Sequence, residues 1–356
     1  MSVRQIAARA GVSPSTVSLA LRGSEKISAA TRERIFNIAR EVDYRPDARV
    51  HELMSRVRKA PGPGTHACFG VMSLYPEARP WERSEHLGKI HASMMQRAET
   101  LGYRLEPLWL RAPGMTQRRF REILDARGIE GLICFGSDDP LAPFPEALDH
   151  YAIVVQGLSI RTPLHRVACA FYSDAWRVLD EIKDRGYRRP GMILARYEAQ
   201  RTGYMHAGAY LAWCDRNLGS ASAVPVLHVE RSEPDPVVRW IEQHQPDAVV
   251  LVHVGDAIPE FMAMLAAQGL RVPEDIGVAA VTHKIRGTGL AGMEQDQELM
   301  GARAVELLTS RILEHDLGLP HHPRIELVES QWIDGPSLPR LEASKSAPVS
   351  VSQRSP

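Results

Sequence analysis

Apolar positions in the first 46 residues recur at helical spacing, in three short segments. Ser2, with Gln5 three residues on, predicts the start of a first helix. Ile6, Ala7 and Ala10 share its inner face, and Gly11 ends it. Two residues later Ser13 can cap a second helix whose first position is Pro14, where a missing N–H removes no hydrogen bond. Val17 and Leu21 at i and i+4 face inward, which turns Ser15, Thr16, Ser18, Leu19 and Arg22 outward, and Gly23 closes the segment. A third helix is predicted from Ser28, carrying Ile35, Ile38, Ala39 and Val42, with Tyr44-Arg45-Pro46 as its stop. The pattern is an all-α head over 1–46, either a plain miniature bundle or a helix-turn-helix.

Residues 47–65 read as a hinge and linker. Asp47 can cap a short helix with Val50, Leu53, Met54 and Val57 on one stripe and Arg49, Arg56, Arg58 and Lys59 beside it. The run KAPGPGTH then forbids continuation. About ten residues cannot hold a helix alone, so this one needs a partner surface. From Ala67 onward short apolar runs (ACFGVMSL, YAIVVQGL, GMILA, DAVVLVHV, IGVAAVT) alternate with amphipathic stretches such as DAWRVLDEIKDRGY. That alternation predicts βα units with parallel sheets, and its length suits two α/β lobes over 66–338. The segment 339–356 lacks periodicity and is expected to be disordered.

Charge sharpens the picture of the head. The chain has 356 residues with 43 basic and 43 acidic side chains, yet residues 1–59 hold twelve Lys/Arg against six Asp/Glu. A basic head with hydroxyls at helix starts suits a polyanion, since hydroxyls and helix N-termini donate to phosphate oxygens. Cys68, Cys134, Cys169 and Cys214 are far apart, without a C-x-x-C pair, and read as reduced core residues. No apolar run reaches membrane-spanning length and the first residues do not resemble a secretory signal, so a cytoplasmic protein is expected.

The stretch VRQIAARAGVSPSTVSLALRGSEKISAATRERIFNIAREVDYRP resembles the N-terminal domain of the LacI family of transcriptional regulators, with AGVS, STVS, TRERI and the Tyr44/Pro46 ending as its densest pieces. The resemblance implies a sequence-specific DNA-binding regulator, a repressor acting as a homodimer on pseudo-palindromic double-stranded operator DNA. It places Pro14, Ser15 and Leu19 against bases. Most of the family carries arginine where Leu19 stands, and leucine can only touch a thymine methyl or sugar. Ser2, Ser13, Thr16, Ser18, Ser28, Thr31 and Tyr44 match positions used against phosphate and sugar, and Arg22 joins them on the exposed face. Leu53, seven residues after Pro46, matches a leucine that wedges into the minor groove from paired hinge helices. Val50 then faces its dimer mate and Met54 shares the stripe.

For the body the resemblance implies a two-lobed periplasmic-binding-protein-like fold that holds a small-molecule effector between its lobes. The expected lobes are 66–160 with 288–319, and 161–287 with 320–338. GLRVPEDIGVAAV is the clearest body signature. The family's ligand-gripping groups are altered: Ala170, His206, Gly255-Asp256 and His283 stand where acids or a guanidinium are usual, which argues against an ordinary sugar effector. Strand ends of parallel sheets present ligands, and those positions hold Ser73, Tyr75, Gln156, Phe171, Tyr172, Arg196, His253, Asp256 and His283, with Trp81, Arg201 and His206 from neighbouring segments. An enzyme with a DNA-binding head is the alternative. No G-x-S-x-G, P-loop or H-E-x-x-H is present. The G-x-G-x-x-G at Gly287, Gly289 and Gly292 stands too far after its strand for a dinucleotide turn. His321-His322 lacks a third metal ligand nearby. No cofactor, metal or catalytic residue is assigned.

Overall fold

The computed structural model describes residues 3–21, 27–41, 67–139, 144–145, 148–219, 223–230, 235–252 and 258–342. The chain divides into two compact units, Met1–Gly64 and Thr65–Pro356. In the first, α1 (Val3–Ala10), α2 (Pro14–Leu21) and α3 (Ala29–Glu41) enclose Ile6, Ala7, Ala10, Val17, Ala20, Ile35 and Ala39, with Leu21 and Ile38 half-buried at the rim. Gly11 ends α1 at φ +64, a left-handed conformation that favours glycine. The Ser13 hydroxyl accepts the Thr16 amide at 3.1 Å and caps α2, so Pro14 sits at its first position as the sequence predicts. An Arg9–Glu41 ion pair joins α1 to α3 at 3.1 Å. The expected Ser2 cap, Val42 and the 47–65 hinge lie outside the described residues.

The second unit contains two six-stranded sheets. The first is built from β1 (Ala67–Ser73), β2 (Tyr103–Trp109), β3 (Ile129–Cys134), β4 (Ala152–Gln156), β5 (His165–Cys169) and β11 (Ile325–Val328), ordered β11-β5-β4-β3-β1-β2. All its pairings are parallel. Helices α4 (Glu85–Thr100) and α5 (Gln117–Ala126) connect its strands. The second sheet holds β6 (Pro190–Ala195), β7 (Leu227–Val229), β8 (Ala248–Val252), β9 (Gly277–Thr282), β10 (Ala291–Glu294) and β12 (Gln331–Ile333), ordered β12-β10-β9-β8-β6-β7. Only β12 runs antiparallel, against β10, among the described pairings. Its helices are α6 (Phe171–Asp184), α7 (Arg196–Arg201), α8 (Met205–Leu218), α9 (Asp235–His244) and α10 (Ile258–Ala267).

The lobe boundaries differ from the sequence expectation. The strand β5 belongs to the first sheet, pairing with β4 and β11, so the first crossing follows Cys169 rather than residue 160. The strand β10 lies in the second sheet, which places the second crossing after Glu294. Helix α11 (Gln297–Glu314) then packs on α4 and shares an apolar core with the first sheet, β11 completes that sheet, and the chain crosses last between Val328 and Gln331. The cause lies in the burial of these strands. Every residue of β5 is buried, as is every residue of β4 and β8, so a strand covered on both faces carries no local mark of which sheet it joins.

Glycine at 301 permits the close approach of α11 to α4. A Cβ there would stand 2.3 Å from the Ile90 carbonyl oxygen and 3.1 Å from the Met94 amide nitrogen. The four cysteines are free and buried. Burial pushes the Cys134 and Cys169 thiols up to about 12, which keeps them protonated and unreactive. No helix among the described residues is long and apolar enough to cross a membrane.

Candidate DNA-binding surface and inter-lobe cleft

In the head, two hydroxyl pairs stand at the starts of successive helices. Ser13 and Thr16 are 2.8 Å apart at the start of α2, and Ser28 and Thr31 are 2.9 Å apart at the start of α3. In each pair the serine accepts the threonine's amide, so the cap fixes both side chains near orphan helix N–H groups. Ser13, Pro14 and Ser28 are exposed, and Thr16, Leu19 and Thr31 are half-buried. Ser15 and Ser18 lie on α2. Ser2, Arg22, Tyr44, Val50, Leu53 and Met54 lie outside the described residues. The arrangement presents hydroxyls and amide dipoles, with no acidic residue in the first turn of either helix among the described residues, which suits phosphate oxygens.

In the two-lobed unit the strand ends of the first sheet carry Ser73, Tyr75 and Gln156. Ser73 is buried and tied locally: its hydroxyl donates to the Glu77 carbonyl at 3.2 Å and accepts the Tyr75 amide at 3.2 Å. That turn aims Tyr75 toward Gly136 and Ser159, and its hydroxyl would be 3.4 Å from a Cβ on Gly136. Burial raises the Tyr75 phenol to about 12 despite the opposing charge of Arg201 from the other lobe, so it remains a neutral donor and acceptor. Gln156 is buried at the end of β4. Trp81 lies flat on His91 at 4.2 Å and meets Phe135 edge-on at 5.3 Å, forming an aromatic wall.

The second lobe answers with Arg201, Glu198 and His283. Both Nε and Nη2 of Arg201 donate to one Glu198 carboxylate oxygen, at 3.0 and 2.8 Å, and the two side chains are 20% and 15% exposed. Burial disfavours the Arg201 charge, but the Glu198 carboxylate offsets it and the guanidinium stays charged. A guanidinium is therefore present in the cleft. Arg201, which the sequence placed at the cleft, supplies that charge, while His206 is fully buried on α8 with its ring 5.1 Å from Phe171.

His283 follows β9, its ring 4.9 Å from that of His86 on α4. Burial, with His283 and Arg201 adding to it, lowers His86 to about 3. His86 and Glu198 are functional candidates that sequence reasoning missed. A Glu three residues before an Arg on a helix is an available signal for the second, whereas His86 has none. Other expected residues point elsewhere. Arg196 donates to Glu230 at 2.8 Å near the surface, and Tyr172 is 45% exposed beside Trp176. His253 and Asp256 lie outside the described residues. Among the described residues no three His, Cys, Asp or Glu are grouped to hold a metal ion.

Comparison with known proteins agrees with both units. Residues 2–47 match the lacI family of bacterial regulatory proteins, and residues 179–338 match a periplasmic binding protein-like domain. The chain is 25% identical to the HTH-type transcriptional repressor PurR of Escherichia coli O139:H28 over 365 aligned residues, covering 94% of this chain and 98% of that one. The fold is shared with the Lac repressor bound to ONPG in its repressed state, at 17% identity and a TM-score of 0.58, covering 95% of this chain and 99% of that one. It is likewise shared with the transcriptional regulator CelR in complex with cellobiose, at 19% identity and a TM-score of 0.57, over 95% of this chain and 99% of that one. A capped helix-turn-helix head, joined to paired parallel sheets crossed three times by the chain, thus has both its parts matched: the head matches the lacI family of bacterial regulatory proteins and the body a periplasmic binding protein-like domain.

Proposed function

We propose that this protein is a transcriptional repressor that binds a pseudo-palindromic operator as a homodimer and is adjusted by a small molecule held between its lobes. The observation that carries this reading is the head: two serine-capped helix starts with their hydroxyl pairs, on a unit that matches the lacI family over residues 2–47. Ser13, Thr16, Ser28 and Thr31 position the protein on phosphates, and Pro14, Ser15 and Leu19 face the bases. Residues 47–65 form the hinge, with Leu53 as the minor-groove wedge and Val50 and Met54 at the mate. Relatives that cover nearly the whole chain are named as regulators, which favours regulation over catalysis as the body's role.

The effector is held by Tyr75 and the Trp81 wall on one lobe and by Arg201, Glu198 and His283 on the other. A ligand that binds one lobe spacing better than another shifts DNA affinity by its differential affinity, on the order of 5–150-fold. Footprinting of the full-length protein on genomic fragments tests the reading. Protection of a two-fold site, with loss of most affinity when one half-site is scrambled, is the expected result. Absence of protection on every fragment at modest salt refutes it.

A further inference from the structure

Among the described residues, polar contacts that join the lobes away from the chain crossings include three. Arg161 donates to the Gln200 carbonyl oxygen at 2.5 Å, Glu85 pairs with Lys284 at 3.6 Å, and the rings of His86 and His283 stand 4.9 Å apart. Two of the three use the same elements, the first turn of α4 and the residues just after β9. The His–His contact is the unusual member, because two imidazoles attract through ring contact only while both are neutral.

The charges around the pair are set against a proton. On its own helix His86 faces Glu85 and Lys89, and from the other lobe it faces His283, Lys284, Arg201 and Glu198. The carboxylates are already engaged: Glu198 holds Arg201, and Glu85 is shared by Lys89 at 3.0 Å and Lys284. Moreover, Nδ1 of His86 is shut off from solvent and has no hydrogen-bond partner among the described residues. A proton placed there would be an unsolvated cation among cations.

We propose that His86 and His283 form a proton-operated latch between the lobes: neutral rings hold the arrangement seen here, and protonation in mildly acidic solution releases it. The sign follows from where the proton binds better. His86 is held at about 3 in the latched arrangement, against 6.5 when the ring is freed, so the latch is intact above 6.5 and weakens as pH falls from 6.5 toward 3. Between pH 8 and pH 5 the ratio of released to latched lobes rises about thirtyfold for one proton taken up. The consequence for DNA binding rests on the proposed coupling between lobes and hinge, but the lobe spacing itself does not.

The test uses the full chain with spin labels on introduced cysteines, Arg118→Cys in the first lobe and Gln268→Cys in the second. Both positions are exposed and the four native thiols are buried. Distance distributions by pulsed electron resonance are expected to hold one separation at pH 8 and to gain a second at pH 5. His283→Gln and His86→Gln should each remove that pH response. Identical distributions at the two pH values, or a response that survives both substitutions, overturns the latch. A pH-dependent separation accompanied by unchanged operator affinity supports the latch and counts instead against the lobe-to-hinge coupling.

Discussion

Asp174 offers the sharpest test of how the lobes are tied at a crossing. It is fully buried in the first turn of α6, just after the first crossing, and holds Ser330 on the third. The Ser330 hydroxyl donates to one carboxylate oxygen at 2.5 Å and the Ser330 amide to the other at 3.2 Å. Burial raises the carboxyl to about 6, with the two Ser330 bonds only partly opposing it. The folded state therefore binds this proton more tightly than the unfolded chain, whose carboxyl titrates near 3.8. The group's contribution to stability is largest at acid pH and is lost as pH rises through about 6. A shift of that size corresponds to about 3 kcal/mol, and the helix dipole at a first turn returns up to about 1 kcal/mol to the anion. The net cost of the buried charge at pH 8 is thus about 2 kcal/mol.

Asp174→Asn keeps the shape, accepts the Ser330 amide and donates to its hydroxyl, while removing the charge. It should be about 2 kcal/mol more stable than the parent at pH 8 and nearly equal to it at about pH 3, where the carboxyl is protonated in both the folded and the unfolded chain. Asp174→Ala leaves two buried Ser330 donors unpaired and should cost about 1–3 kcal/mol at both pH values. Urea unfolding midpoints at pH 3 and pH 8 measure the difference. If the asparagine variant loses stability at pH 8 to the same extent as alanine, the carboxylate is a net stabiliser and the reasoning fails.

Other expectations follow from the same geometry. Gly301→Ala forces a methyl against the Ile90 carbonyl and should destabilise the two-lobed unit by about 1–3 kcal/mol, read by thermal unfolding; an unchanged melting temperature would show that α4 and α11 can part without cost. Ser13→Ala removes the cap of α2 and should cost about 1 kcal/mol, visible as faster hydrogen exchange at the Thr16 amide together with weaker operator binding. Leu53→Ala should reduce operator bending in circular-permutation gels, and unchanged bending would remove Leu53 from the wedge position.

Local chemistry made the head legible. Its helix starts, stops and inward faces are written within eight residues of one another, as Ser13-Pro14, Gly11 and the Ile35/Ala39 pair illustrate, because capping and amphipathic spacing are short-range effects. The presence of parallel sheets was equally plain from alternating apolar and amphipathic runs. What the chain could not state locally was which sheet each buried strand joins. Both β5 and β10 are almost wholly buried, and their assignment depends on partners far away in sequence. The cleft was decided the same way. Tyr75 and His283 were legible as strand-end positions of parallel sheets, and Arg201 as a position in a neighbouring segment. The Arg201–Glu198 pair is local, three residues apart on α7, but the meeting of His86 with His283 across the lobes exists only once three crossings bring α4 and the end of β9 together. Hydrogen bonds and desolvation act over a few ångströms, so groups separated by nearly 200 residues acquire their chemistry from the tertiary fold alone.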